Sequence, residues 1–371
     1  MNMPIVKPVH PLLSDFETEF KVALTTGVVT NNGPYVQEFE RRLTEYLGVP
    51  TICFNNGTSA LIAMLMAVEV QNMDVILPSF TYVATPHAVI MAGGRPIFAD
   101  INDKTLCLDY DDTERRITGR TTAILGVDPF GIPWEPPKFW KDGDIDILID
   151  SAPSFGSSSG DPRKPAVWAD RGKAQVYSFH ATKPFSTMEG GCLCSSDEGL
   201  IQRAKAIRNF GIGPDGKVES VGINGKMTEI CAIVGLKQFG KWPERLAARA
   251  KNVARMHEAL DGITGLRAFE PHRMQSWTYY PVFVEQEFMV ARDTVVEKLH
   301  ERGIMVRKYY EPCHLQPGYL HNPKYPSGNV KLIVTEHVAE QIIALPVYDE
   351  FSDDDAKQIA KAFKAIQREK S

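Results

Sequence analysis

From about residue 58 to residue 196 the chain alternates short, almost continuously apolar runs with longer helical patterns, and this alternation constrains the fold more than any other feature. The runs are DVILP (74–78), RPIFADI (95–101), TTAILGVD (121–128), IDILID (145–150), AQVYSF (174–179) and GGCLCSS (190–196). Between them TSALIAMLMAVEV (58–70) has helical spacing after a turn at NNG, and ATPHAVIMAGG (84–94) ends in glycines. Strands that are apolar throughout, instead of alternating, are covered on both faces, which is the habit of parallel sheets. The expectation is an α/β domain with a mostly parallel central sheet.

From Thr228 to about Leu260 the pattern is helical, interrupted at Pro243, and reads as a bridge between two units. Beyond it SWTYYPVFVE (276–285) and IMVRKYY (304–310) read as strands and DTVVEKLHERG (293–303) as a helix. HVAEQIIALP and DDDAKQIAKAFKAI complete a smaller α+β domain. We place the boundary near residue 250: a large α/β domain over 1–250 and a small C-terminal α+β domain over 251–371.

Forty-one basic against 46 acidic residues give a net charge of −5, and no basic run is interleaved with aromatics. Nucleic acid is therefore not an expected partner. The start, MNMPIVKPVHPLLSDF, has no uninterrupted apolar core, and LIAMLMAVEV (61–70) is too short to span a bilayer. No membrane association is expected, and the location expected is cytoplasmic. The six cysteines are scattered; Cys192 and Cys194 share one face of a strand, without a second pair or a histidine cluster. Reduced, buried thiols are expected, and no metal.

Four positions suggest chemistry. Lys183 lies just past the carboxyl end of AQVYSF, where open α/β sheets bind ligands; alone it reads first as a solvent-exposed loop charge. Asp150 ends IDILID and could face a cationic ring nitrogen or cap a turn. NNGTSAL opens a helix with free N–H groups and the hydroxyls of Thr58 and Ser59, a cradle for phosphate. Tyr82 follows DVILPSF and could offer a flat face to a ring or pack in the core. Pyridoxal 5'-phosphate needs all four: an amine, an acid at the pyridine nitrogen, an anion site and a surface for the ring.

The chain resembles the DegT/DnrJ/EryC1/StrS family of sugar aminotransferases, of fold type I. The resemblance runs from VVTNNGPYVQEFERRLTEYLGV to LPVYDEFSDDDAKQIAKAF and is carried by five stretches. These are NNGTSAL, DVILPSFTYVATPHAVIMAGGRPIFADI, SFHATKPFSTMEGG, RNFG (208–211) and GINGKMTEICAIVGLKQF (222–239). It implies that Lys183 forms the Schiff base and that Asp150 pairs with the pyridinium nitrogen. Gly57, Thr58, Ser59 and Ser178 would hold the phosphate, and Tyr82 would stack on the ring. Asn224 would reach the phosphate of the neighbouring subunit, so that a homodimer shares its sites; alone it reads as a turn asparagine.

Two positions depart from the pattern. Pro153 stands where relatives carry Gln or His, and MEGG replaces GEGG at Met188. Lys183 itself favours transamination over the deoxygenation of relatives with histidine there. The resemblance implies a ping-pong cycle with glutamate as donor and a nucleotide-linked keto-sugar, a dTDP-linked 3- or 4-keto-6-deoxyhexose, as acceptor. Tyr309, Tyr310 and His314, in VRKYYEPCHLQPGY, are candidate sugar or nucleotide contacts, or interface packing. His87 and His180 are expected to be structural. The alternatives are a cyclitol ketone as acceptor, or a non-catalytic regulatory or scaffold homologue.

Overall fold

The apolar runs pair as strands of one sheet: β1 (Thr51–Phe54), β2 (Asp74–Pro78), β3 (Arg95–Ala99), β4 (Thr121–Val127), β5 (Asp146–Asp150), β6 (Ala174–Ser178) and β7 (Gly191–Cys194). The computed structural model describes residues 2–141, 143–158, 169, 171–270, 275–320 and 330–369. The strand order is β1-β7-β6-β5-β4-β2-β3, and all neighbours are parallel except β7, which runs against both β1 and β6. Every residue of β2, β6 and β7 is buried, which accounts for their unbroken apolar character.

Helices cover both faces and the edges: α1 (Leu13–Thr26), α2 (Pro34–Leu47), α3 (Gly57–Ala67), α4 (Ala84–Met91), α5 (Tyr110–Arg116), α6 (Lys138–Lys141), α7 (Glu198–Arg208) and α8 (Glu229–Phe239). The start of α3 is fixed by Asn56, whose side chain accepts from the Ser59 N–H at 2.8 Å. The helical stretch after Thr228 is broken earlier than the sequence suggested, at Gly240 and Lys241. Pro243 sits in the first turn of α9 (Trp242–Leu260), where its missing N–H is not needed.

The remaining elements are β8 (Leu266–Ala268), β9 (Tyr279–Val284), α10 (Arg292–Glu301), α11 (Ile333–Gln341), β10 (Ile342–Pro346) and α12 (Asp353–Arg368). Strands β10, β9 and β8 form an antiparallel sheet in that order. The strand expected over 304–310 is not formed. Ile304 bridges to Met3 and Arg307 to Ala344, each as an isolated pair. Tyr309 and Tyr310 leave the edge of β10 to stack on each other, so no ladder can continue.

One apolar cluster runs from Ile76, Ile124 and Ile149 of the large sheet into Tyr280, Val282, Ile343 and Phe363. Helix α9, which contains residue 250, links the loop after β6 to the residues before β9 and after β10 through two buried arginines. Arg249 donates to the carbonyls of Trp277 (2.7 and 2.9 Å) and Val347 (2.7 Å) and to Asp349 (2.9 Å). Arg245 pairs with the same Asp349 and donates to the carbonyl of Pro184 at 2.7 Å, next to Lys183. Among the described residues no helix is long and apolar enough to cross a membrane.

Arg249→Met removes the donor shared by the buried carbonyls of Trp277 and Val347 and the half-buried Asp349. We expect a loss of about 3–5 kcal/mol, read as a lower guanidinium midpoint. Lys251→Met, exposed on the same helix, should stay within about 0.5 kcal/mol of the parent.

Candidate active site

Because β2, β4, β5 and β6 are parallel, their carboxyl ends open on one edge of the sheet. Asp150 is the last residue of β5 and only 4% exposed. Thr85, from the first turn of α4, donates to it at 2.7 Å, and the Ala152 N–H donates at 3.1 Å. Burial still pushes its carboxyl above the usual aspartate range, against the pull of Thr85, Ala152 and Lys183. A cation reaching this carboxylate would relieve that cost.

Lys183 lies in the loop after β6, where its backbone N–H donates to the His180 carbonyl at 2.9 Å. The residue is half-buried. Burial lowers the pKa of its ammonium, and the charge of Asp150 opposes the change. Acid and amine thus sit within electrostatic reach, each drawn toward its neutral form.

The amino end of α3 faces the same edge. A Cβ on Gly57 would stand 2.9 Å from the Cβ of Ser178, and one on Gly191 would stand 2.7 Å from the Gly57 nitrogen. Only glycine at both places lets the helix end approach β6 and β7 so closely. The Ser59 N–H is engaged by Asn56, which leaves the N–H groups of Gly57 and Thr58 and the hydroxyls of Thr58 and Ser59; the Ser178 hydroxyl accepts from the His180 N–H at 3.4 Å and keeps its own proton to donate. Tyr82, between β2 and α4, is 60% exposed and presents an uncovered ring. A buried carboxyl, an amine whose protonation is weakened by burial, an anion cradle and a bare aromatic face fit pyridoxal phosphate.

The structure brings Tyr310 to this site: it stacks on Phe130 (5.3 Å between ring centres) and on Tyr309 (5.2 Å), and meets Phe80 edge-on. Burial raises its hydroxyl pKa, and the charge of Asp150 adds to the effect. Tyr309 packs edge-on against Tyr279 at 5.5 Å. His314 is a correction. It is fully buried, with Nδ1 at 2.7 Å from the Ser79 hydroxyl and Nε2 at 3.3 Å from Glu336, so it offers no surface to a sugar or nucleotide.

Asn224 is exposed on an arm whose residues pair Asn209 with Asn224 and Ile212 with Val218. Its carbonyl accepts from Asn55 at 3.3 Å, where the chain leaves edge strand β1. His180 is held by Thr182 at 2.8 Å, and the His87 ring packs on Tyr319. Pro153 turns its carbonyl to the Thr278 hydroxyl at 3.2 Å. Met188 has φ 71°, a conformation that favours glycine. The thiols of Cys53, Cys192 and Cys194 are buried together with Phe39, Phe179 and Phe185. Among the described residues no group of three or more His, Cys, Asp or Glu could hold a metal ion.

Sequence reasoning missed the groups behind Asp150. Asp128, just past β4, accepts from the Trp134 N–H (2.8 Å), Ser151 (2.7 Å), Ser154 (2.6 Å) and both Nη atoms of Arg171 (2.9 and 2.6 Å). Its place at a strand end beside Asp150 was the available signal.

The model of the DegT/DnrJ/EryC1/StrS aminotransferase family matches residues 12–364. A dTDP-4-amino-4,6-dideoxy-D-glucose transaminase of Shigella dysenteriae is 30% identical over 380 residues, spanning 99% of this chain and 100% of that protein. The structure of DesI, solved in the presence of its TDP-sugar product, superposes with a TM-score of 0.89 at 30% identity, covering 100% of this chain and 94% of DesI. Helicobacter pylori PseC, an aminotransferase of pseudoaminic acid biosynthesis, gives 0.90 at 25% identity, with all of both chains covered. With its sheet edge, helix end and lysine arranged as above, the chain belongs to the DegT/DnrJ/EryC1/StrS aminotransferase family, the pyridoxal-phosphate-dependent sugar aminotransferases.

Proposed function

We propose that this protein moves an amino group from glutamate to the ketone of a nucleotide-linked sugar, a dTDP-linked 3- or 4-keto-6-deoxyhexose, in two half-reactions at one site. The observation that carries the reading is the meeting of Asp150, Lys183 and the α3 end at one sheet edge. The choice of a dTDP-sugar is supported by the Shigella transaminase and by DesI, which resemble this chain along its length.

Pyridoxal phosphate supplies a carbonyl that condenses with amines and a ring that takes up electrons when a Cα–H bond breaks. The chain does the rest. Asp150, dry and aimed by Thr85 and Ala152, binds the protonated ring nitrogen. The α3 end, with Ser178, holds the phosphate, and Tyr82 covers the ring face. Lys183, whose ammonium is weakened by burial, would accept the proton of the donor carbon in the first half-reaction and deliver a proton to the sugar carbon in the second, acting as base and then as acid within each. Tyr309 and Tyr310 close the side toward the small unit and hold water off. Asn224, exposed on its arm, reaches the phosphate bound by a second copy of the chain.

Purified protein given pyridoxal phosphate should show a near-visible absorbance band that bleaches with glutamate. Lys183→Ala should lack that band and lose at least about 10³-fold in the half-reaction. A variant indistinguishable from the parent would sink the assignment.

The shared site is open to a mixing experiment. Lys183→Ala and Asn224→Ala chains, each inactive alone, should regain about a quarter of parental activity when unfolded and refolded together, since half the dimers carry one intact site. No recovery in mixed dimers would place Asn224 outside the site.

The acid also has a stability signature. A carboxyl raised above its unfolded value favours folding while protonated, and that contribution is lost as pH climbs through the unfolded and then the folded pKa. In cofactor-free protein Asp150→Asn should therefore melt higher than the parent at neutral pH. The gap should close on acidification below the ordinary aspartate range, as a pH series of thermal melts would show.

A further inference from the structure

Behind Asp150 lies a second buried carboxylate that the reaction above does not use. Asp128 is fully buried just past the end of β4, the strand beside β5, and its backbone N–H donates to the Asp150 carbonyl at 3.0 Å. Arg171 is 7% exposed. It grips both oxygens of Asp128 and also donates to the Ser151 hydroxyl (2.9 Å) and the Trp134 carbonyl (2.6 Å). Ser151 and Ser154 donate in turn to Asp128, so the loop that leaves Asp150 is pinned to this ion pair.

The groups facing Asp150 come from several elements. Thr85 reaches it from α4, the Ala152 N–H from its own loop and Lys183 from the loop after β6; Asp128 acts from the end of β4 and Tyr310 from the small unit. Of these, Asp128 brings a like charge, which favours a proton on Asp150. A protonated Asp150 could not serve as the anion at a ring nitrogen. Lys183 gives no lasting counter-charge, because a lysine that shuttles protons passes through its neutral form.

We propose that Arg171 is a positioning residue for the reaction: it cancels the charge of Asp128 and fixes Ser151 and Ser154, so that Asp150 stays ionised and aimed while Lys183 works uncharged. This rests on the reading that Asp150 meets the ring nitrogen.

The test uses full-length, cofactor-free protein labelled with ¹³C at the aspartate carboxyls, with the Asp150 signal assigned by its loss in Asp150→Asn. In Arg171→Met the Asp150 titration should move up by at least about one pH unit. In Asp128→Asn, with Arg171 kept, it should move down. In the double variant Asp128→Asn/Arg171→Met, which removes both charges, it should return close to the parent. Should Arg171→Met fail to fold, the other two variants decide. The same Asp150 titration in every folded variant would overturn the proposal and leave the pair a structural clamp. In loaded enzyme the acid limb of kcat should follow these shifts while KM for glutamate holds. The reading beneath is tested apart: Asp150→Asn that binds pyridoxal phosphate with parental affinity and absorbance would defeat it without touching the carboxyl titration.

Discussion

The end of α3 meets β6 and β7 only because nothing projects from Gly57 and Gly191. Main chain packs there against main chain, at distances that a methyl group would prevent. Through that approach a helix end with unpaired N–H groups lies on the edge where parallel strands deliver Asp150 and the loop delivers Lys183. The reversed strand β7 makes the arrangement possible. It returns the chain beside β6 and places Gly191 opposite both Ser178 and Phe54, the last residue of β1 before the turn into α3.

An acid and an amine gathered in one dry place weaken each other's surroundings as much as they help each other. Burial draws both toward neutrality, and their mutual attraction offsets only part of it. The surrounding structure carries the difference through well-satisfied polar groups: Thr85 on Asp150, and the fixed loop on which Lys183 stands, whose Pro184 carbonyl is held by Arg245. A neutral tyrosine pair, with no charge to desolvate, brings Tyr310 beside Asp150.

Much of this was legible in the residues. Strands β2 to β7 announced themselves because coverage on both faces demands unbroken apolar runs. The tips of β5 and β6 could be read as a site because a charge or lone hydroxyl ending such a run has few structural uses. Edge strand β1, TICF, is four residues long and carries no such signal. IMVRKYY has strand composition, yet its two tyrosines are called away by aromatic partners distant in sequence. His314 looked available because its burial depends on Ser79 and Glu336, which only the fold brings near. Asp128 and Arg171 were hidden for the same reason: 43 residues separate them, and in isolation each is an ordinary polar residue near a strand end.

Helix α9 packs on α8, on β8 and on α12. Its arginines bind the Lys183 loop, Trp277, Val347 and Asp349 at once. The parts of the chain before and after α9 are therefore not interchangeable. An exchange of the C-terminal part between relatives would need its seam before α9, near Gly240, so that Asp349 and both arginines come from one parent. A cut at its midpoint would strand half of a buried polar lattice in each recombinant. Substrate range in this architecture is thus more readily altered one side chain at a time than by shuffling whole units.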